Sequence, residues 1–260
     1  MTLATGLLVL PHRTAKPRHT GLTMVIDNGL PTGLFVDAVS SAAALIDTVK
    51  FGWGTALVTD DLERKIDCLR ANHIRFWFGG TLFEKFVMQD RFDLYLDLCR
   101  FHGAEIVEVS NGTIPLSNTA KAAYIRKCAD DFEVVSEVGL KDTGRSQHMS
   151  ASQWVSDIHE DLAAGSSLVI TEARESGRSG ICRADGELKH GLIDDILASF
   201  DPRMLLFEAP NRTLQTYFIT RVGANVNLGN IAPTDVIALE TLRLGLRADT
   251  LDTFGGIDVA

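Results

Sequence analysis

Acidic side chains recur along this chain directly after short apolar runs. The polar residues that end these runs are Asp27, Lys50, Glu108, Glu137, Glu172, Glu208 and Asn227, with Arg174 close behind. Carboxylates that converge in a space of low dielectric repel one another and take up protons unless a cation joins them. Oxygen ligands suit a hard divalent ion, most simply Mg²⁺, and no histidine or cysteine cluster indicates zinc. We therefore expect a magnesium site, although any single member could instead form a buried ion pair or face outward.

The apolar runs alternate with stretches that have the periodicity of helices. About eight runs resemble strands, at residues 24–26, 48–49, 76–78, 106–107, 134–136, 168–171 and 204–207 and at Val226. Repeated strand-helix units of this kind are typical of a (β/α)8 barrel, in which the carboxyl ends of the strands meet at one face. We predict the α/β class and a single (β/α)8 TIM barrel whose polar strand ends line one pocket.

The length of the chain fits one such domain. Its 260 residues match the ~250 residues of a typical barrel. The apolar stretch near the start precedes its basic residues, which is the reverse of a signal peptide. We predict an N-terminal arm at residues 1–20 and a barrel domain at residues 21–260.

Charge and cysteine content limit the partners. A net charge of -9 argues against nucleic acid or an anionic membrane, because both require a basic surface. No apolar run approaches the ~20 residues of a membrane span. The four cysteines are widely spaced, which favours free thiols in a cytoplasmic protein. An anionic substrate would therefore depend on a few local cations.

Several loops are candidate binding elements. Gly52 lies in the segment FGWGT at residues 51–55, which could cradle a phosphate or form a tight strand exit. Arg212 follows the seventh run, where barrels often hold phosphate, but it could equally be a solvated residue at a helix start. The segment at residues 172–178 carries several charges at a strand end. The polar connections at residues 141–150 and 174–186 are candidate lids.

Seven segments of this chain resemble phosphosulfolactate synthases. They are GLTMVID at residues 21–27, VKFGWGT at 49–55, FGGTLFE at 78–84, SEVG at 136–139, EARESG at 172–177, LFEAP at 206–210 and ETLRLGLR at 240–247. The resemblance runs in order over most of the chain. It implies a Mg²⁺-dependent barrel, a lyase that forms a C–S bond by adding sulfite to phosphoenolpyruvate. The product would be (2R)-2-phospho-3-sulfolactate, an early intermediate of coenzyme M biosynthesis.

The resemblance also suggests roles for individual residues. Lys141 matches the family lysine thought to protonate the enediolate-like intermediate, and Lys50 and Arg174 complete the expected catalytic set. We expect Glu137, Glu172 and Glu208 to hold the metal, with Asp27 next. The expected substrate-binding residues are Arg178, Arg212, Ser176, Gly177, Asn227 and Gly52.

Other functions remain open from sequence alone. Asn28 and Leu140 stand where the family pattern has lysines, which leaves room for a paralogue that adds a different nucleophile to an enol phosphate. Related chains also include heat-tolerance proteins, so a non-catalytic binding or protection module is a further hypothesis. We expect small anionic substrates, no nucleic-acid or membrane partner, and a homo-oligomer.

Overall fold

The computed structural model of the chain describes residues 8–174 and 179–254, apart from the side chain of Thr143. Four free cysteines are found, as expected. Within the described ranges, no helix is both long enough and apolar enough to cross a membrane.

Eight short strands form one sheet. They are β1 (Thr23–Asp27), β2 (Thr48–Phe51), β3 (Arg75–Phe78), β4 (Ile106–Val109), β5 (Glu133–Val138), β6 (Leu168–Thr171), β7 (Leu205–Glu208) and β8 (Leu228–Ile231). Their order is β3-β2-β1-β8-β7-β6-β5-β4, and the paired strands are all parallel. The strands are almost entirely buried, as expected where helices cover a parallel sheet.

Helices follow the strands around the outside. They are α1 (Thr32–Ala42), α2 (Leu62–Ala71), α3 (Gly80–Val87), α4 (Phe92–Phe101), α5 (Asn118–Cys128), α6 (Thr143–His148), α7 (Ala151–Ala164), α8 (His190–Ser199), α9 (Arg212–Val222) and α10 (Val236–Arg243). The predicted single (β/α)8 barrel is confirmed.

The barrel is closed by side chains at one seam. Strands β3 and β4 are neighbours, but no backbone ladder joins them in the described part of the chain. Trp77 Nε1 instead donates to Glu108 Oε2 at 2.7 Å across this seam. The other Glu108 oxygen accepts from the Gly80 amide, also at 2.7 Å. A buried carboxylate therefore replaces part of the missing ladder.

The buried apolar residues form two layers. One layer fills the inside of the barrel, and the other, the outer core, lies between the strands and the helices. The inner layer consists of Met24, Trp77, Ile106, Val135, Ile170 and Leu206. Val135 and Leu206 each precede a glutamate by two residues, so the period of the strand directs Glu137 and Glu208 to the same interior. The inner layer is thus the floor below the polar strand ends.

The position of the last strand differs from the prediction. Val226 was expected to end the eighth strand at Asn227, whereas β8 begins only at Leu228. Glycine and asparagine are poor strand formers, so the segment LGNI gave no strand signal in the sequence. Asn227 therefore lies at the amino end of β8, on the side of the barrel opposite to the predicted pocket.

The described part of the N-terminal segment, residues 8–22, contains neither helix nor strand. Arg13 donates to Glu240 on α10 and to the Ala224 carbonyl. The buried Arg243 donates to the Leu22 carbonyl and to the carbonyls of Ala224 and Val226. These contacts bind the segment to the amino end of the barrel.

A candidate metal and anion site at the carboxyl ends of the strands

A cavity of about 800 Å³ opens at the carboxyl ends of the strands. Its described charged lining residues are Lys50, Glu137, Lys141, Asp142, Arg145, Glu172, Arg174 and Glu208. Uncharged residues complete the wall, among them Ile26, Trp53, Thr81, Thr113 and Asn230. The cavity lies where barrel enzymes hold their active sites, because the strand-to-helix loops converge there.

Three buried glutamates from neighbouring strands converge in this cavity. Glu137 lies near the end of β5, Glu172 follows β6, and Glu208 ends β7. One carboxylate oxygen from each lies within 4.8 Å of the others. The structure thus brings together three of the four expected metal ligands.

Two lysines lie among these carboxylates. Lys50 Nζ lies 3.1 Å from Glu108 Oε2, 3.6 Å from Glu137 Oε2 and 3.5 Å from Glu208 Oε1. Lys141 Nζ lies 2.8 Å from Glu137 Oε1 and 3.8 Å from Glu172 Oε2. Four carboxylates therefore face two ammonium groups, which leaves the centre negative without a further cation.

The pKa values of the glutamates diverge because their neighbours differ. Burial raises the pKa of Glu172 well above its usual range, and Glu208 and Glu137 raise it further. Burial also raises the pKa of Glu208, to about 7, against the opposing charge of Lys50. Burial acts in the same direction on Glu137, but Lys141 and Lys50 outweigh it and lower that pKa to about 2. In the metal-free protein, protons therefore compensate part of the excess negative charge.

The lysines respond in the opposite sense. Burial disfavours the charged form of Lys50, but Glu108, Glu208 and Glu137 outweigh it and raise its pKa. Burial likewise opposes the charge of Lys141, and Glu137 and Glu172 raise its pKa well above the usual value. Both lysines are ammonium ions at neutral pH.

The donor set fits a hard divalent cation. Both oxygens of Glu137 and Oε2 of Glu172 are buried, and in the described part of the chain they form ion pairs with Lys50 and Lys141 but no hydrogen bond of good geometry. Buried carboxylate oxygens without hydrogen bonds are costly, and an oxygen-seeking ion would satisfy them. Glu137, Glu172 and Glu208 could therefore hold a metal ion.

Buried contacts fix the backbone that carries these glutamates. Lys121 Nζ donates to the Glu137 carbonyl at 3.0 Å and pairs with Asp161 Oδ2 at 2.7 Å. The Ala173 amide donates to Glu208 Oε2 at 2.9 Å. Gly180 has a φ of +66°, and any side chain there would overlap the Glu172 carbonyl. These contacts hold the three glutamates in place.

Another buried carboxylate, that of Glu84, supports the part of the cavity wall formed by the loop after β4. Glu84 on α3 accepts from Ser110 Oγ at 2.6 Å and from the amides of Thr113 and Ile114 at 3.0 and 3.1 Å. Thr113 lines the cavity, so Glu84 shapes the loop after β4. No role was predicted for Glu84, because its position on a helix carries no strand-end signal.

The cationic rim of the cavity is formed by Arg174 and Arg145. Arg174 Nη1 donates to the Lys141 carbonyl at 3.2 Å, which links the loops after β5 and β6. Arg145 lies on α6, within the predicted lid at residues 141–150, and its amide donates to Asp142. Arg145 was not predicted as a site residue, because residues 141–150 were expected to form a polar connection between elements. Together with Lys141, these two side chains offer an anion three positive groups.

Four expected site residues lie elsewhere. Asp27 is saturated by Lys65 at 2.6 Å and by two amides of its own turn, so it is not available to a cation. Asn227 bonds Leu22 and Leu205 at the amino end of the barrel. Arg212 is exposed, with Asp249 at 3.7 Å. Gly52 packs beneath the β1 turn, where a Cβ would lie 2.7 Å from Asn28 Oδ1.

The physical reasons for these differences are local. Asp27 alternates with the inward-facing Ile26, so the strand directs the carboxylate away from the interior. Asn227 precedes its strand instead of ending it. The predictions for Ser176, Gly177 and Arg178 fall outside the described residues.

Comparison with known proteins identifies relatives of the whole chain. A family model described as (2R)-phospho-3-sulfolactate synthase matches residues 11–249. A phosphosulfolactate synthase of Bacillus subtilis is 53% identical over 244 residues, covering 94% of this chain and 97% of the relative. One from Methanothermobacter thermautotrophicus is 38% identical over 245 residues, covering 93% and 95%.

Solved structures with this fold are more distant in sequence. A crystal structure of 3-hexulose-6-phosphate synthase has a TM-score of 0.56 at 14% identity, covering 86% of this chain and 99% of the other. At that identity the likeness concerns the fold alone.

Proposed function

This chain belongs to the phosphosulfolactate synthase family of enzymes, and on that premise we propose that it catalyses the Mg²⁺-dependent addition of sulfite to phosphoenolpyruvate. The product is (2R)-2-phospho-3-sulfolactate. The observation that carries this proposal is the buried group of Glu137, Glu172 and Glu208 beside Lys141. It combines oxygen ligands for a cation with a proton donor in one cavity.

The reaction joins two anions without breaking the phosphate ester. The sulfur of sulfite forms a bond to the methylene carbon of phosphoenolpyruvate, and the electrons of the double bond move towards the carboxylate. The adjacent carbon then takes up one proton. Both substrates are negatively charged, so the site must supply positive charge.

The charged residues of the cavity would have different roles in this reaction. Glu137, Glu172 and Glu208 would hold Mg²⁺. Such an ion would supply positive charge where electron density develops on the substrate carboxylate. Arg174, Arg145 and Lys141 surround the open side, where they would hold phosphate and sulfonate oxygens. Lys50 lies deeper in the cavity, where it neutralises part of the negative charge of the buried glutamates.

Lys141 is the proposed proton donor. Its ammonium lies at the boundary between the glutamates and the open cavity, with a partly exposed side chain. Glu137 and Glu172 hold its pKa high, so the proton is in place before substrate binds. Lys141 would release that proton more readily once the charges of these glutamates are neutralised.

Cellular context forms part of the same proposal. The cavity fits small anions, and we propose a cytoplasmic homo-oligomer that uses freely diffusing substrates. Light scattering at increasing protein concentration tests the oligomeric state.

Phosphorus NMR tests the reaction directly. Purified protein is incubated with Mg²⁺, phosphoenolpyruvate and sulfite, with Lys141→Ala as the inactive control and the exposed Glu133→Gln as the control for the fold. We expect a new phosphorus resonance only when sulfite is present, and no release of inorganic phosphate. Consumption of phosphoenolpyruvate only with another nucleophile would contradict the sulfite assignment. No turnover with any nucleophile, from folded and metal-loaded protein, would contradict catalysis itself.

A further inference from the structure

Asn230 occupies an irregular position in the last strand of the barrel. The register between β1 and β8 pairs Thr23 with Leu228 but Val25 with Ile231, so β8 contains one extra residue. Asn230 has a φ of +55°, which is the left-handed region. A β-bulge with one left-handed residue re-aims a side chain, and bulges are frequent beside active sites. Asparagine tolerates this conformation better than most residues.

The bulge changes which face of the strand Asn230 occupies. Leu228 and Ile231 both pack in the outer core, although they are three residues apart. Gly229 faces the interior, because a Cβ there would lie 2.7 Å from Met24 Cε. Strict alternation would then send Asn230 outward, yet it lines the functional cavity. The extra residue brings a second polar group into the site beside Glu208, which pairs with Gly229.

The side chain of Asn230 is buried but not satisfied. It is 7% exposed, and its Oδ1 has no hydrogen-bond partner among the described residues. An asparagine with a purely structural role would bond a neighbouring amide or carbonyl, since an unmade hydrogen bond in the interior is costly. The fold therefore maintains a buried acceptor, without a partner among the described residues, on a residue that lines the cavity. Such an arrangement is expected where a ligand supplies the missing partner.

We propose that Asn230 binds the hydration shell of the cation held by Glu137, Glu172 and Glu208, its Oδ1 accepting a hydrogen bond from a metal-bound water. This inference rests on the proposed metal centre. A carbonyl oxygen needs a donor, and fully ionised phosphate, sulfite and carboxylate groups offer acceptors only. Water on a divalent ion is a strong donor, and Mg²⁺ usually keeps several waters when it binds to protein carboxylates. Asn230 thus positions the ion and takes no proton.

The experiment measures metal binding without substrate. Mn²⁺, as a spectroscopic stand-in for Mg²⁺, is titrated into the full chain and followed by electron paramagnetic resonance. Asn230→Gly keeps the left-handed backbone and removes the acceptor, whereas Asn230→Asp keeps an acceptor oxygen. We expect the glycine variant to bind Mn²⁺ ~10–100-fold more weakly and to retain its Tm, because outer-sphere partners have effects of this size. The aspartate variant should bind at least as tightly as the wild type.

Four other results would overturn the inference, each for a different reason. Equal Mn²⁺ affinity in the wild type and the glycine variant would leave the metal centre intact and remove Asn230 from it. Absence of Mn²⁺ binding by the wild type would overturn both the metal centre and this role. Weaker binding of inorganic phosphate by the metal-free glycine variant would show that the amide nitrogen contacts the anion instead. Unfolding of the glycine variant would show that the side chain only supports the bulge.

Discussion

Cation binding at the three glutamates should release protons, in an amount set by their raised pKa values. Glu208, with a pKa of about 7, is mostly protonated at about pH 6, and burial together with Glu208 and Glu137 raises the pKa of Glu172 as well. A cation must displace these protons, because only the carboxylate form binds. Each pH unit below the pKa then weakens binding by about 1.4 kcal/mol, or tenfold, per displaced proton.

We therefore expect the apparent Kd for Mg²⁺ to rise ~5–50-fold between about pH 7 and pH 6, for about one or two protons released, because Glu208 is already half protonated at about pH 7. Isothermal titration calorimetry in two buffers of different ionisation enthalpy counts the protons directly. Glu208→Gln should release about one proton fewer. Glu133→Gln, on the same strand as Glu137 but exposed, should behave like the wild type.

The same shift predicts the stability of the metal-free protein. The pKa of Glu208 is raised from 4.5 to about 7 on folding. The unfolded chain therefore loses this proton first, and the stabilising contribution of the protonated form is lost as the pH rises through about 7.

A pH-independent Kd for the cation between about pH 6 and pH 8, without proton release, would refute the reasoning about proton displacement.

Three substitutions separate the other roles. Lys141→Ala should lower kcat ~10²–10⁴-fold with little change in the Kd for phosphoenolpyruvate, and near-normal kcat would assign the proton to another donor. Arg174→Lys should raise KM more than it lowers kcat in steady-state assays, because the planar guanidinium group, which can form two parallel hydrogen bonds, is replaced by a single ammonium group. An unchanged KM would show that Arg174 does not bind substrate. Lys121→Met should lower the free energy of unfolding in urea by about 3–5 kcal/mol, since it leaves Asp161 buried and unpaired, and a neutral effect would contradict the importance of this pair.

The sequence predicted the barrel because its strands repeat a strong local signal. Apolar runs that end in a charged residue locate β1, β2 and β4 to β7, the run at residues 76–78 locates β3, and the pattern places Glu137, Glu172 and Glu208 at one face. Strand alternation then assigned these glutamates to the interior, and the inner position of Val135 and Leu206 agrees with that assignment. This part of the site depends only on periodicity and on the topology of the fold.

The remaining features depend on tertiary contacts or on local irregularity. Asp27 had the same strand-end signal as the glutamates, but the partner that saturates it, Lys65, is distant in sequence. Asn230 was missed because a bulge reverses the alternation from which an inward position would be inferred. Arg145 and Glu84 reach the site from helices, where strand periodicity gives no information.

The central claim is that a divalent cation on the three glutamates serves the addition of sulfite to phosphoenolpyruvate. Anomalous diffraction from crystals of the protein soaked in Mn²⁺ and phosphoenolpyruvate tests it most directly. We predict a peak about 2.1 Å from carboxylate oxygens of Glu137, Glu172 and Glu208, with the substrate phosphate against Arg174 and Arg145. Phosphoenolpyruvate bound in this cavity with the manganese peak elsewhere, or with no peak at all, would contradict the account.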